Sequence, residues 1–284
     1  MPGTPAHPPL HPPCRAAHPR VNWLRLFPDA DFRFQMGLRP GNAPAFFGGP
    51  QDSAILAQRS RIIQRHPADC LLESRTSAEH DTLSLLSSFT GKPLTTLPDA
   101  AAACEADFVI LTPDAAGIPT VSGGVVCFPS SWSLRDKAGL PMSAVHAPVP
   151  GLNADMGRGI DTFLSRLGSD AVWERDNWGL SADGELDHHP RHRRAPLTAC
   201  AALDSTWLRL ERQILLRPAS DAILFGIHVS VHRLDTLARV PGLAPRIARA
   251  LETMPPEIAA YKGLTAARTA LAHSVRSISA PAPD

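Results

Sequence analysis

Apolar residues change their period twice along this chain. After Asp52 or Ser53, either of which can cap a helix, Ile55, Leu56, Ile62 and Ile63 recur at helical spacing. Thr76 and Glu79 stand in the S/T-x-x-E pattern of a capping box, and Leu83, Leu86 and Phe89 line one side of the helix it opens. From residue 107 the apolar runs become short and continuous. DFVILT (107–112) and PTVSGGVVCF (119–128) flank the turn chemistry of Asp114–Gly117 and predict a β-hairpin. The helical period returns in NADMGRGIDTFLSRLG, with Asn153 as N-cap, Met156, Ile160, Phe163, Leu164 and Leu167 on one face, and Gly168 as stop. Three more strands are predicted in AVWERDNWGL (171–180), STWLRLERQILLR (205–217) and AILFGIHVSV (222–231). The tail is helical: Leu243, Ile247, Leu251 and Met254 make one stripe, Pro255-Pro256 suit the first turn of the next helix, and Ile258, Tyr261 and Leu264 carry it on.

This order (two strands, a helical crossover, three strands) predicts an α+β fold, a PAS-like five-stranded antiparallel sheet with helices across one face. Helical additions precede and follow it. The expected divisions are a proline-rich arm over 1–32, an N-terminal helical cover over 33–100, the PAS-like core over 101–240, and C-terminal helices and tail over 241–284.

Composition narrows the function classes. The 284 residues are 44% hydrophobic and 19% charged, enough to bury a sizeable core. A net charge of +1 supplies no field for nucleic acid or an acidic membrane. No apolar run approaches the roughly 18 residues of a membrane span, and the N-terminus has no signal-peptide core, so a cytoplasmic location is expected. Five scattered cysteines without a C-x-x-C read as reduced thiols. No dinucleotide fingerprint, P-loop, H-E-x-x-H or G-x-S-x-G is present.

Candidate chemistry centres on CFPSSWSLRDKAGLPMSAVHAPVPG (127–151). The prolines after His146 restrict the backbone, which suits an imidazole presented to a metal at a fixed angle, although a histidine that merely caps a helix satisfies the same pattern. His228 is the second ligand candidate. Alternation puts it on one strand face with Leu224, Gly226 and Ser230, where a glycine leaves room for a flat group. The preceding strand carries a polar stripe of Trp207, Arg209, Glu211 and Gln213, and the two strands together read as the walls of one pocket. Arg135 and Lys137 are candidates to pair with an anionic cofactor, and Arg175, Asn177 and Trp178 form another polar-aromatic group. DHHPRHRR (187–194) has no ligand spacing and reads as an exposed loop.

Six ordered segments carry a family resemblance: MGLRP (36–40), FPSSWSLRDKAGLPMSAVHAPVPG (128–151), ERDNW (174–178), LRLERQILLRP (208–218), AILFGIHV (222–229) and MPPEIAAYKGL (254–264). Through them the chain resembles the haem-bearing alpha subunit of haem-dependent oxidative N-demethylases. The resemblance implies a PAS-like domain holding haem b and activating dioxygen to oxidise an N-methyl group of dimethylamine or a similar small substrate. Electrons come from reduced nicotinamide through separate flavin and iron–sulfur subunits. Carried onto this chain it implies His146 as the iron ligand, Glu211 and His228 on the distal polar side, Arg135, Lys137 and Arg175 toward the propionates, and Trp132 in the cofactor wall. One departure stands out. Relatives carry an arginine where this chain has His228, so distal chemistry or substrate differs. Two other readings remain open: a haem-PAS sensor or carrier, and a cofactor-free scaffold subunit.

Overall fold

The computed structural model describes residues 21–218 and 221–279. Helices α1 (Trp23–Leu26), α2 (Ala43–Gly48), α3 (Ser53–Arg65), α4 (Pro67–Cys70), α5 (Ser77–Thr90) and α6 (Leu97–Ala103) form the N-terminal region, which also supplies strands β1 (Arg39–Pro40) and β2 (Leu71–Leu72). Strands β3 (Asp107–Pro113) and β4 (Pro119–Val125) make the hairpin. A crossover containing α7 (Met142–His146) and α8 (Leu152–Ser165) leads to β5 (Trp173–Ser181), β6 (Trp207–Leu216) and β7 (Ile223–Arg233). Helices α9 (Leu234–Ala238), α10 (Ala244–Thr253), α11 (Pro256–Tyr261) and α12 (Arg268–Ser279) complete the chain.

The five predicted strands all form and pair antiparallel, in the sheet order β1-β5-β6-β7-β3-β4-β2. The sequence reading missed the two outer strands because two residues are too few to show a period. A bulge between Ile110 and Leu111 bends the hairpin. Opposite it, Gly124 (φ 142°) passes so close to β3 that a Cβ would sit 2.3 Å from the Phe108 carbonyl oxygen.

Helices cover both faces of the sheet, not one as the sequence suggested. On the first face, Phe108, Ile110, Ile214 and Leu224 pack against Phe47, Leu86 and other side chains of α2, α5 and α6. Farther along that face, Trp178, Leu208 and Leu210 join Ile247, Leu251 and Leu271 of the C-terminal helices. On the second face, Val109, Leu111, Leu215 and Ile223 pack against Ile160 and Leu164 of α8. With apolar side chains needed on both sides, β3 and β7 read as near-continuous apolar runs.

One buried ion pair ties these layers. Arg59 of α3 is 0% exposed, donates to Asp107 at 2.5 Å and to the carbonyls of Ala101 and Glu105, and lies over the Phe128 ring at 5.5 Å. The same Asp107 carboxylate accepts the backbone N–H groups of Cys127 and Phe128, each at 2.8 Å. The chain leaving β4 is therefore steered by a charge at the start of β3. Buried thiols surround the pair. Burial pushes Cys104 up to about 11, and Cys127 is raised by its hydrogen bond with Cys70 and by burial, so these are inert, reduced cysteines.

Several local expectations need correction. Helix α8 is preceded by Gly151 (φ 73°) as N-cap; Asn153 lies inside it and donates to the Ser143 carbonyl, joining α8 to α7. Thr76 makes no capping bond, while Glu79 accepts from the Ser74 and Arg75 amides. The reciprocal capping box belongs instead to Thr96 and Asp99 of α6, and the division expected at residue 100 falls inside that helix. Of the proline-rich arm, residues 1–20 lie outside the described residues. Its remainder is docked, with Phe27 buried against Trp178 at 4.8 Å between ring centroids.

Two consequences are measurable. Asp107→Ala strands a buried guanidinium and leaves two backbone amides without an acceptor, so urea denaturation should show a loss of about 3–5 kcal/mol. His232 stands edge-on to Trp23 at 4.9 Å, bonded to Ser230 at 2.9 Å, and burial pushes its imidazole down to about 4. The unfolded chain protonates this group below about 6.5 while the fold resists. Stability present above pH 6.5 is therefore lost as pH falls toward 4, by up to roughly 3 kcal/mol from this group. Denaturation midpoints across that window should fall less steeply in His232→Gln.

Candidate functional site

The sheet register sorts the candidate residues into two sets. In β5–β6 pairing Arg175 faces Gln213 and Asn177 faces Glu211; in β6–β7 pairing Gln213 faces Ile227 and Glu211 faces Val229. Directly paired residues share a face, so these six form one patch on the second face. His228 pairs with Arg212 and belongs to the first. The expectation that His228 and Glu211 line one pocket is therefore corrected: a period of two places residues one position out of register on opposite sides.

The space expected beside His228 is filled. A Cβ on Gly226 would lie 2.6 Å from Phe47 and 2.7 Å from Ile214, so the glycine admits helix α2 and not a flat ligand. The His228 ring sits edge-on to Phe46 at 6.3 Å, and its Nε2 lies 3.3 Å from the Glu105 carboxylate. Glu105 in turn accepts the Asp52 amide that opens α3. His228 thus links the sheet to the N-terminal helices.

On the second face the polar patch is held in a fixed arrangement. Asn177 Nδ2 (3.1 Å) and Gln213 Nε2 (2.8 Å) both donate to Oε2 of Glu211. Oε1 takes no hydrogen bond from the described residues, although Glu211 is only 8% exposed. Beside it, Arg175 Nε is buried without an acceptor, and burial, against the pull of Glu211 and Asp176, lowers the guanidinium pKa. Gly179 on the same face meets nothing within 4 Å of its Cβ position, which leaves the patch open at that end.

His146 reaches this patch from the crossover. It is the last residue of α7, and its carbonyl accepts the Val149 amide at 2.9 Å, so the Pro-Val-Pro segment turns tightly away from it. The half-buried imidazole has its pKa lowered by burial first, then by the positive charges of Arg175 and Lys137, with Asp161 opposing. Lys137 bonds the Val145 carbonyl at 3.5 Å. The ring is therefore kept neutral, the form that ligates a metal. Trp132 packs half-buried between two core clusters. Arg135 is exposed and donates to the Ala68 carbonyl at 3.2 Å, away from Arg175 and Lys137.

The DHHPRHRR segment is only in part the exposed loop expected: Pro190, His192 and Arg193 are exposed, whereas Asp187, His188 and His189 are buried at 6–7% exposure. Arg209, on the face of Glu211, holds it by donating to the carbonyls of Glu185 (2.6 Å) and Leu186 (3.0 Å), and burial lowers that guanidinium to about 10. His188 exchanges backbone bonds with Pro129 and Ser131, while Asp187 pairs with Arg191 and His192. Charges hidden in pairs along a polar run carry no hydrophobic period, so nothing in the local pattern marks their burial. Lys262 and Tyr261, absent from the candidates, arrive from the end of α11. Lys262 Nζ donates to the Trp178 carbonyl at 2.7 Å and lies 5.3 Å from the Trp178 ring centroid. The available signal was their place in MPPEIAAYKGL.

A neutral imidazole, two cations of which one has a buried Nε lacking an acceptor, and an oriented carboxylate form one constellation. That donor set fits a group bringing its own metal and its own negative charge, as haem does. Among the described residues no group of three or more His, Cys, Asp or Glu side chains is placed to hold a metal ion by itself, and no helix is long and apolar enough to cross a membrane. Compared with known protein families, residues 62–272 match the family described as haem-dependent oxidative N-demethylase, alpha subunit-like. The matched stretch runs from inside α3 to inside α12 and contains every residue of this constellation. The chain belongs to the haem-dependent oxidative N-demethylase alpha-subunit-like family.

Proposed function

We propose that this protein binds haem b on the second face of its sheet, with His146 as iron ligand, and oxidises an N-alkyl amine or a similar small substrate. The observation that carries the reading is that burial and the charge of Arg175, whose own buried Nε has no acceptor, lower the pKa of the His146 imidazole. The five long strands, with helices α7 and α8 between the second and third, support the PAS-like description of the core.

When bound, haem supplies the oxidative chemistry with dioxygen, fed by electrons from an external flavin or iron–sulfur reductase. The chain's residues do the rest. Arg175 and Lys137 pair with the carboxylates of the cofactor, each unpaired cation gaining a charge-assisted bond. Trp132 supplies apolar wall. Glu211, fixed through Oε2 by Asn177 and Gln213, keeps Oε1 for the ammonium of a protonated amine or for a proton to be delivered. Arg209 latches the 185–188 segment beside the patch and limits water entry. His228 supports the sheet from behind, so its replacement of an arginine does not bear on the amine directly. The words "alpha subunit" in the family's description support a partner subunit as the source of electrons.

The test is the absorption spectrum of protein produced with added haem, wild type beside His146→Ala and Arg175→Met. Wild type should show a Soret band that shifts with carbon monoxide after dithionite reduction. His146→Ala should lose or displace it, and Arg175→Met should weaken haem retention roughly 10-fold or more, as expected for a lost charge-assisted contact. An unchanged spectrum in His146→Ala removes the ligand assignment. Wild-type protein without any Soret band favours the cofactor-free scaffold.

A further inference from the structure

The first face of the sheet holds a polar cavity of its own. It has a volume of about 200 Å³ and is lined by Asn22 and Arg25, by Arg39 of β1, by Glu174 and Asp176 of β5, and by Arg212 of β6. Asp176 pairs with Arg212, and Arg212 with His228, so the cavity lies on the side of the sheet that Glu211 does not face. Every side-chain oxygen in this lining already accepts a hydrogen bond. Asp176 takes Arg39 through Oδ1 at 2.9 Å and Arg25 through Oδ2 at 3.2 Å. Glu174 takes the Asn42 amide through Oε1 at 3.1 Å, and Arg39 and Arg212 through Oε2 at 3.3 and 3.4 Å. Asn22 Oδ1 takes the Arg25 amide at 3.0 Å. The donors are not used up. Among the described residues each of the three guanidinium groups makes its side-chain hydrogen bonds through Nη2 alone, and Nη1 of Arg39 is buried without an acceptor. Three arginines around two carboxylates leave the lining with an excess of positive charge.

We propose that this cavity is a binding site for a small oxyanion, a phosphate or a short-chain carboxylate. A guanidinium carries five N–H donors in a fixed fork that matches the oxygens of such groups, and the lining supplies three guanidinium groups with donors to spare. A cation would meet like charge and oxygens that are already bonded. The volume is below the roughly 300 Å³ at which pockets for drug-sized ligands begin, so phosphate or acetate fits where a nucleotide does not. The three arginines differ in access. The Arg25 side chain is 47% exposed, whereas those of Arg39 and Arg212 are 19% and 12% exposed and give the less screened contacts. Arg25 belongs to α1, Arg39 to β1 and Arg212 to β6, so an anion accepting from all three joins elements that Glu174 and Asp176 already hold together.

The experiment titrates the full chain, as purified, with inorganic phosphate and with acetate, replacing chloride at constant ionic strength. Binding is read by calorimetry and by the thermal denaturation midpoint, which a ligand of the folded state raises. Saturable binding of either anion at one site per chain, with a rise in midpoint that chloride does not give, is the expected result, and the tighter of the two identifies the class. Arg212→Gln should weaken the binding about 10-fold or more, as a lost charge-assisted partner does. Arg25→Gln should weaken it by less. Asp176→Asn should tighten it, because an anion competing for the same guanidinium groups is gone, whereas a merely loosened fold binds less well. Should Arg212→Gln fail to fold, the opposite signs expected of Arg25→Gln and Asp176→Asn carry the test. No saturation in the millimolar range, or a dissociation constant unmoved by the substitutions, overturns the proposal and leaves an adventitious ion only. The titration needs no haem, so failure of the haem reading leaves its outcome intact.

Discussion

The Asp107 carboxylate is the fixed point of this molecule. It sits at the first residue of β3, receives Arg59 from α3, and accepts the two amides with which the chain leaves β4. A charge pair buried to this degree is poorly compensated unless its remaining lone pairs and protons are satisfied. The Ala101 and Glu105 carbonyls satisfy Nε and Nη1 of Arg59 and the Cys127 and Phe128 amides satisfy the carboxylate, while Nη2 of Arg59 is buried without a partner among the described residues. The candidate residues Trp132, Lys137 and His146 all belong to the segment whose starting direction Asp107 sets.

The opposite sides of the sheet have different tasks although they share strands. Glu211 and Arg212 are neighbours in sequence. The first is oriented by Asn177 and Gln213, while the second pairs with Glu174 and lies over Phe46 at 5.5 Å. Val229 and His228 divide in the same way. The polar patch of Arg175, Asn177, Glu211 and Gln213 lies on one side, and the N-terminal helices attach on the other. His228 falls on the attachment side, where its Nε2 lies 3.3 Å from the Glu105 carboxylate.

Much of this fold was legible because its signals are local. All five long strands were foreseen to within two or three residues, since continuous apolar runs bounded by glycine, proline and aspartate have few alternative structures. What the sequence hid were relations between segments. Nothing local shows that β6 and β7 pair Arg212 with His228, which alone separates His228 from Glu211. Nothing local shows that Phe47 fills the gap at Gly226, or that Asp187, His188 and His189 are buried beside the carbonyls that Arg209 holds. Lys262 reaches the Trp178 carbonyl across 84 positions of sequence, by a contact without a motif.

The two outermost strands, Arg39–Pro40 and Leu71–Leu72, come from the N-terminal region. Small as they are, they cover parts of both open borders of the sheet, against Trp173 and Glu174 at one side and Gly124 and Val125 at the other. The strand-rich core is therefore not a module that evolution or an engineer can lift out intact. Excised at residue 101, it would carry two uncovered borders of hydrogen-bonding backbone and adhere to its own copies. The cover is part of what closes the borders of this sheet.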